Sequence, residues 1–216
     1  SRGLGDVYKR QDRQRATKDE ATPDEALDAM LTCPALAGTY TVSGSRITHV
    51  RVANVRPELS GRPHVVDYAI DDEIMTQTVI SGGRIAGASF TFRKTPSRGA
   101  GSPLVGAWEM VDDAEQGLTI FTETHYVVVR MHKQRDVPKG EQYTPEEALA
   151  ALHTSGAQAG PYTVSGTTLT MERTSNLRPR ATGVTGVMDI TIDGDTLKTR
   201  TTSGFNVSYV YIWHKV

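Results

Sequence analysis

Tyr40-Thr41-Val42-Ser43-Gly44 returns later in the chain as Tyr162-Thr163-Val164-Ser165-Gly166. The match extends outward at a constant offset of 122 residues, so that 22–57 overlay 144–179 without a gap and 20 of the 36 positions are identical. The same register carries on through Asp67/Asp189, Asp71/Asp193 and Ser81-Gly82/Ser203-Gly204, and after the loss of one residue Phe92-Arg93-Lys94 meets Trp213-His214-Lys215. Solenoid repeats recur every 20–50 residues or so, so a period this long describes one domain per copy. The sequence therefore predicts two related domains, each readable against the other.

The comparison exposes an asymmetry. Copy two begins well before its helix, with Leu104-Val-Gly-Ala-Trp108-Glu-Met-Val111 and then Leu118-Thr-Ile-Phe-Thr-Glu-Thr-His125-Tyr-Val-Val-Val-Arg130. At the same offset the first of these has no counterpart, and the tail of the second lands on residues 1–11, which do not match it. Those eleven residues resemble the translated adapter run found at broken ends of assembled environmental gene fragments, and they are set aside as a sequencing or assembly scar. The expected organisation is a scar at 1–11, an N-terminally truncated domain at 12–97, a linker at 98–103 stiffened by Pro96 and Pro103, and a complete domain at 104–216. Any signal peptide would lie upstream of the break, which leaves periplasmic, secreted and cytoplasmic locations all open.

Composition narrows the function classes. The formal net charge is −1, so no general attraction to nucleic acid or anionic membrane is expected. No apolar run approaches the ~20 residues of a transmembrane helix. Cys33 is the only cysteine, and Ser155 stands in its place in copy two, so no intramolecular disulfide can form. Plentiful Thr, Val and Gly favour short strands joined by tight turns.

Copy two reads as strands near 107–111, 118–121 and 126–131, the last two separate or one long bent strand. Thr144-Pro145-Glu146-Glu147 is then a helix start, with Thr as N-cap, Pro at N1 and Glu closing a capping box. Ala148, Leu149 and Leu152 form its apolar stripe, and the helix is short, about ten residues. Thr22-Pro23-Asp24-Glu25 repeats the cap in copy one. A hairpin at 162–174 follows, then strands near 187–192, 196–201 and 207–215, with Asp193-Gly194 as a two-residue turn. Roughly eight regularly spaced strands per copy and one interrupting helix argue for a closed antiparallel barrel, whose interior holds side chains or one small ligand.

Gly106-Ala107-Trp108 on the first strand looks like the Gly-x-Trp signature of lipocalins. The run from Ala159 through Thr170, the segment Ile192-Asp-Gly-Asp-Thr-Leu197 and the terminal Trp213 resemble the bacterial lipocalin-like domains, a calycin-type β-barrel family. Copy one carries the same pattern from Ala37-Gly-Thr-Tyr40 to Phe92. The resemblance implies an all-β fold with a short helix per repeat: two antiparallel lipocalin-like barrels in tandem, the first incomplete. It also implies that a small apolar or amphipathic molecule is bound without cofactor. Lipocalins place a late Arg over the first-strand Trp; only His214 or Lys215 is available here.

Several residues are candidates for chemistry. His125, if inward, is an acid or base; otherwise it is a structural or solvent-facing histidine. Glu172 and Asp189 inside one barrel would be a carboxylate pair with split pKa values, although Val50 replaces Glu172 in copy one. His125 and His132 lie seven apart, off a common strand face, so no metal site is expected. Asn176-x-Arg178-Pro179, repeated from Asn54-x-Arg56-Pro57, is either a structural loop at the barrel rim or an Arg placed to meet a ligand carboxylate. Tyr126 and Tyr162 complete the set of ligand-contact candidates, and Tyr40 and Tyr162 are expected to pack on the wall with the hydroxyl reaching a partner. The leading expectation is non-enzymatic binding. The rivals are a barrel enzyme of isomerase or cyclase type and a protein-interaction module with filled barrels.

Overall fold

The computed structural model describes residues 21–33, 35–82, 86–94, 102–140, 142–204 and 209–216. The expected scar at 1–11 lies outside the described residues, as does most of the expected linker at 98–103. Helix α1 (Pro23–Thr32) leads into β1 (Leu36–Ser43), β2 (Arg46–Asn54), β3 (Pro63–Asp71), β4 (Ile74–Ser81) and β5 (Ser89–Arg93). These five strands form an open antiparallel sheet in chain order.

The remainder follows as β6 (Gly106–Met110), β7 (Glu115–Phe121), β8 (His125–His132), α2 (Pro145–His153), β9 (Ser155–Ser165), β10 (Thr168–Glu172), the two-residue β11 (Ser175–Asn176), β12 (Thr185–Asp193), β13 (Thr196–Ser203) and β14 (Val210–Lys215). The strand order is β10-β12-β13-β14-β6-β7-β8-β9-β11, and β10 also pairs with β9. That pairing closes β6–β10 and β12–β14 into an eight-stranded antiparallel barrel, with no free edge along the ring. The expected strands 118–121 and 126–131 are two, not one, because the chain reverses at Thr122, whose Oγ1 accepts from the His125 N–H at 3.0 Å.

Both helices start as their sequences dictate. Thr22 and Thr144 accept from the Glu25 and Glu147 backbone N–H at 3.3 and 3.2 Å, while each glutamate returns to the cap N–H at 2.8 and 3.0 Å. The tight turn after β12 holds Gly194 at φ 54°, and Asp72 occupies the same left-handed conformation at φ 53° after β3. Register repeats as well. Arg46 pairs with Asp67 and Thr168 with Asp189, and the β3–β4 and β12–β13 ladders shift at Val65/Val66 and at Val187/Met188.

One end of the barrel is packed solid by Leu104, Trp108, Phe121, Leu169, Leu197 and Trp213. Trp108 is fully buried, and its indole N–H donates to the Leu104 carbonyl at 2.8 Å. The Lys215 ammonium stands 5.4 Å from the Trp108 ring centre, a cation–π contact.

The sheet and the barrel share two apolar contacts. Ala26 and Met30 of α1 pack with Ala148, Ala151 and Leu152 of α2, joined by Val55 and Leu177. The outer face of β8 supplies Val129 and Met131, which pack on Ala53 of β2. Gln116 donates to the Val52 carbonyl at 2.9 Å, Arg135 donates to the Val55 carbonyl at 3.1 Å, and the Tyr143 hydroxyl bonds the Glu58 carboxylate. Among the described residues no helix is long and apolar enough to cross a membrane.

Candidate binding cavity

Strand alternation decides what enters the barrel. On β7 the inward residues are Glu115, Gly117, Thr119 and Phe121; on β8 they are Tyr126, Val128, Arg130 and His132, paired across the ladder. Phe121 and Tyr126 therefore mark the packed end, and Glu115 and His132 mark the open one. Between them lies a cavity of about 900 Å³. Leu169, Leu197 and Trp213 floor it, and Val128, Met171 and Met188 line its middle. Its mouth is polar, lined by Arg130, Arg178, Arg180 and Tyr209 together with Asp24, Glu25 and Asp28 of α1, while Arg173 is buried beside Tyr126.

Arg130 is held from several sides. Its Nη1 donates to both Glu115 carboxylate oxygens at 2.9 and 2.8 Å, and its guanidinium stands 5.3 Å from the Tyr211 ring centre and 5.8 Å from that of Tyr209. Space for this side chain comes from glycine on both neighbouring strands, since Gly117 and Gly156 are its cross-strand partners. A Cβ at position 156 would come within 3.2 Å of Arg130 Nε. Burial alone would lower the Arg130 pKa, but Tyr211 and Glu115 outweigh it and hold the guanidinium charged. Burial pushes the Tyr211 hydroxyl up to about 12, against the opposing pull of Arg130.

Arg178 has a structural duty as well as a place at the mouth. Its Nη2 donates to the Leu152 carbonyl at 3.1 Å, satisfying an acceptor at the end of α2, and its backbone N–H donates to Asn176 Oδ1 at 2.8 Å. Likewise Arg56 Nη2 donates to the Met30 carbonyl of α1 at 3.1 Å, and the Arg56 backbone N–H donates to Asn54 Oδ1 at 2.9 Å. The repeated Asn-x-Arg-Pro is thus a helix-end clamp in both units. Burial, and then the positive charges of Arg130 and Arg180 nearby, hold the Arg178 pKa below its usual value.

Asn176 and Arg178 border the cavity, while the other two contact candidates sit in the packed end. Tyr162 donates to the Thr122 carbonyl at 2.7 Å and stands edge-on to Phe121 at 5.3 Å. Tyr126 is buried, its hydroxyl 3.5 Å from the Glu172 carbonyl oxygen, and burial raises its pKa to about 12.

The catalytic candidates fall outside the barrel. His125 is exposed and bonds Thr124 Oγ1 at 2.8 Å. Glu172 is exposed because Leu169 and Met171 take the inward positions of β10. Asp189 pairs with Arg200 at 2.8 Å on the outer wall, because Met188 and Ile190 take the inward positions of β12. The expected pair of inward carboxylates is therefore replaced by one, Glu115, already bound to Arg130. Glu115, Arg130 and Tyr211 were legible only through alternation: Tyr126-x-Val128-x-Arg130 places the Arg on the inward face and His125 on the other. Among the described residues no three His, Cys, Asp or Glu side chains gather to hold a metal ion.

No family model, no curated protein and no solved structure matches the chain.

Proposed function

We propose that the barrel binds a small amphipathic molecule, apolar body inward and acidic head at the mouth. The observation that carries this reading is the cavity itself: about 900 Å³, apolar at its floor and ringed by guanidinium groups at its opening. Ligand pockets commonly measure about 300–1,000 Å³ and combine apolar walls with a few convergent polar groups. A cavity of this size supports ligand binding over a barrel filled by its own side chains. Glu115 neutralises much of Arg130, which leaves Arg178 as the group best placed to meet a ligand carboxylate. The test is a screen of fatty acids, aromatic acids and isoprenoid acids for thermal stabilisation, with the uncharged alcohols as controls. Acids stabilising more than their alcohols support the reading; no stabilisation by any of them sinks it.

One observation keeps the enzyme reading in play. Glu115, Arg130 and Tyr211 pack together at the cavity wall, and closely set polar groups suit acid–base work on a bound ligand. A product formed by the parent protein and lost in Glu115→Gln would select an isomerase or cyclase.

We also infer that residues 36–93 are a second copy of the lipocalin-like unit, the counterpart of β9, β10 and β12–β14. The repeated registers, the repeated strand shift and the repeated helix-end clamp support this.

A further inference from the structure

If β1–β5 are the counterpart of β9, β10 and β12–β14, the barrel states what lies against them. β9 is hydrogen-bonded on its far side to β8, and β14 to β6. Among the described residues nothing pairs with the corresponding edges of β1 and β5. Alternation puts Tyr40, His49, Tyr68, Phe90 and Phe92 on the face that is interior in the barrel, while Thr48, Asp67, Thr76 and Thr91 occupy the face that is its outer wall. The aromatic face is open. Phe92 is 47% exposed, whereas Trp213 at the same place in the barrel is 4% exposed beneath its neighbour β6. Phe90 and Tyr40 are exposed in the same way.

Polar atoms point to the same vacancy in the pairing. Arg51 donates from Nη2 to the Gly82 carbonyl at 2.7 Å, as Arg173 does to Gly204 at 2.8 Å. In the barrel, Arg173 is also in electrostatic contact with Tyr126 of β8. Among the described residues, Arg51 Nη1 and His64 Nε2 are buried with no hydrogen-bond partner. Buried donors without acceptors are costly, and native structures rarely keep them.

We infer that the open sheet is a docking surface for one kind of occupant, a three-stranded antiparallel meander of the β6–β8 type. Its first strand pairs with β5, its third with β1, and an aromatic residue of its first strand covers Phe92 as Trp108 and Met110 lie against Trp213. Two unpaired, oppositely placed edges with an exposed aromatic face between them are an aggregation hazard when bare. A single added strand would satisfy one edge only, so the occupant must span both. The inference rests on the repeat reading and not on the ligand, so a failed ligand screen leaves it standing.

The experiment adds the occupant in two ways. In one arm, residues 102–143 are duplicated ahead of Thr22 in the full chain, preserving the natural connection from β8 to the helix. In the other, a peptide of residues 102–134 is added to the unaltered chain. Amide exchange in Leu36–Ser43 and Ser89–Arg93 is followed by mass spectrometry, together with binding of an apolar dye. Either arm should slow exchange at both edges by about tenfold or more, and should lower dye binding to what the barrel cavity alone takes up. Phe90→Asp with Phe92→Asp should remove the protection. Protection at neither edge, or at one alone, in both arms overturns the inference. So does protection that the double variant leaves intact, or sedimentation showing that the unaltered chain already hides this face in a dimer.

Discussion

Arg178 Nη2 lies 3.1 Å from the Leu152 carbonyl oxygen, and Arg56 Nη2 lies 3.1 Å from that of Met30. One side chain thus closes a helix end and also borders the cavity. Arg178→Ala should therefore weaken an acidic ligand and destabilise the fold by about 1–3 kcal/mol, the scale of a lost charged hydrogen bond. Arg56→Ala, away from the barrel mouth, should give the stability loss without the affinity loss. Denaturant unfolding and ligand titration of the two variants separate the roles.

Trp108 is the largest fully buried side chain, bonded to Leu104 and covered by Lys215. Trp108→Ala should cost about 3–5 kcal/mol. Lys215→Met should cost about 0.5–1 kcal/mol, the worth of an exposed cation–π contact. Chemical denaturation of both gives the comparison; a loss below about 1 kcal/mol for Trp108→Ala would mean that the closed end is not packed as described.

Breaking the Arg130–Glu115 pair from one side strands the other charge in a partly dry site. Glu115→Gln should destabilise by about 1–3 kcal/mol, below the 3–5 kcal/mol of a fully buried pair because water still reaches both groups. It should also free Arg130 and tighten acidic ligands. Weaker acid binding in Glu115→Gln would show that Arg130 depends on its partner for position.

His49 and His64 stack at 5.8 Å on the open sheet, and burial, with Arg51 nearby, lowers both pKa values. A histidine whose folded pKa is depressed takes up its proton more readily when unfolded. Its contribution is present above the ordinary value of about 6.5 and is lost as pH falls from there towards the folded pKa. Amide exchange in β2 and β3 should therefore accelerate between about pH 7.5 and 5.5 more than exchange in β10 and β12. Substituting both histidines with Gln should erase that difference.

His125→Ala and Glu172→Gln should leave ligand affinity unchanged, because both side chains are exposed on the far side of the wall. Parallel titrations against the parent protein check this; a fall in affinity would mean that the ligand lies outside the barrel.

The helix starts, the two-residue turns and the strand succession were legible because each is a local matter. Thr-Pro-x-Glu caps a helix wherever it occurs, and Gly194 or Asp72 turns a chain without help from its neighbours. The cavity's polar groups were less accessible. Whether Glu172 or Met171 enters the barrel depends on a one-residue choice of face, and strands that alternate Thr with larger groups state that choice weakly. The roles of Arg178 and Arg130 rest on partners 26 and 15 residues away, Leu152 and Glu115, which no local pattern announces.

Ala26, Ala29 and Met30 of α1 and their counterparts Ala148, Ala151 and Leu152 of α2 are all buried, and five of the six share one apolar cluster. Equivalent surfaces meeting in this way are the hallmark of a two-fold self-association. A chain holding one copy would have to find that partner in solution, and its stability would follow its concentration. Carrying both helices on one chain would supply the partner at an effective concentration of roughly millimolar order, as a short linker does, whatever the expression level. If the two units are copies of one domain, as proposed above, a contact between two chains has become an internal one, and each helix can change only as far as its twin allows.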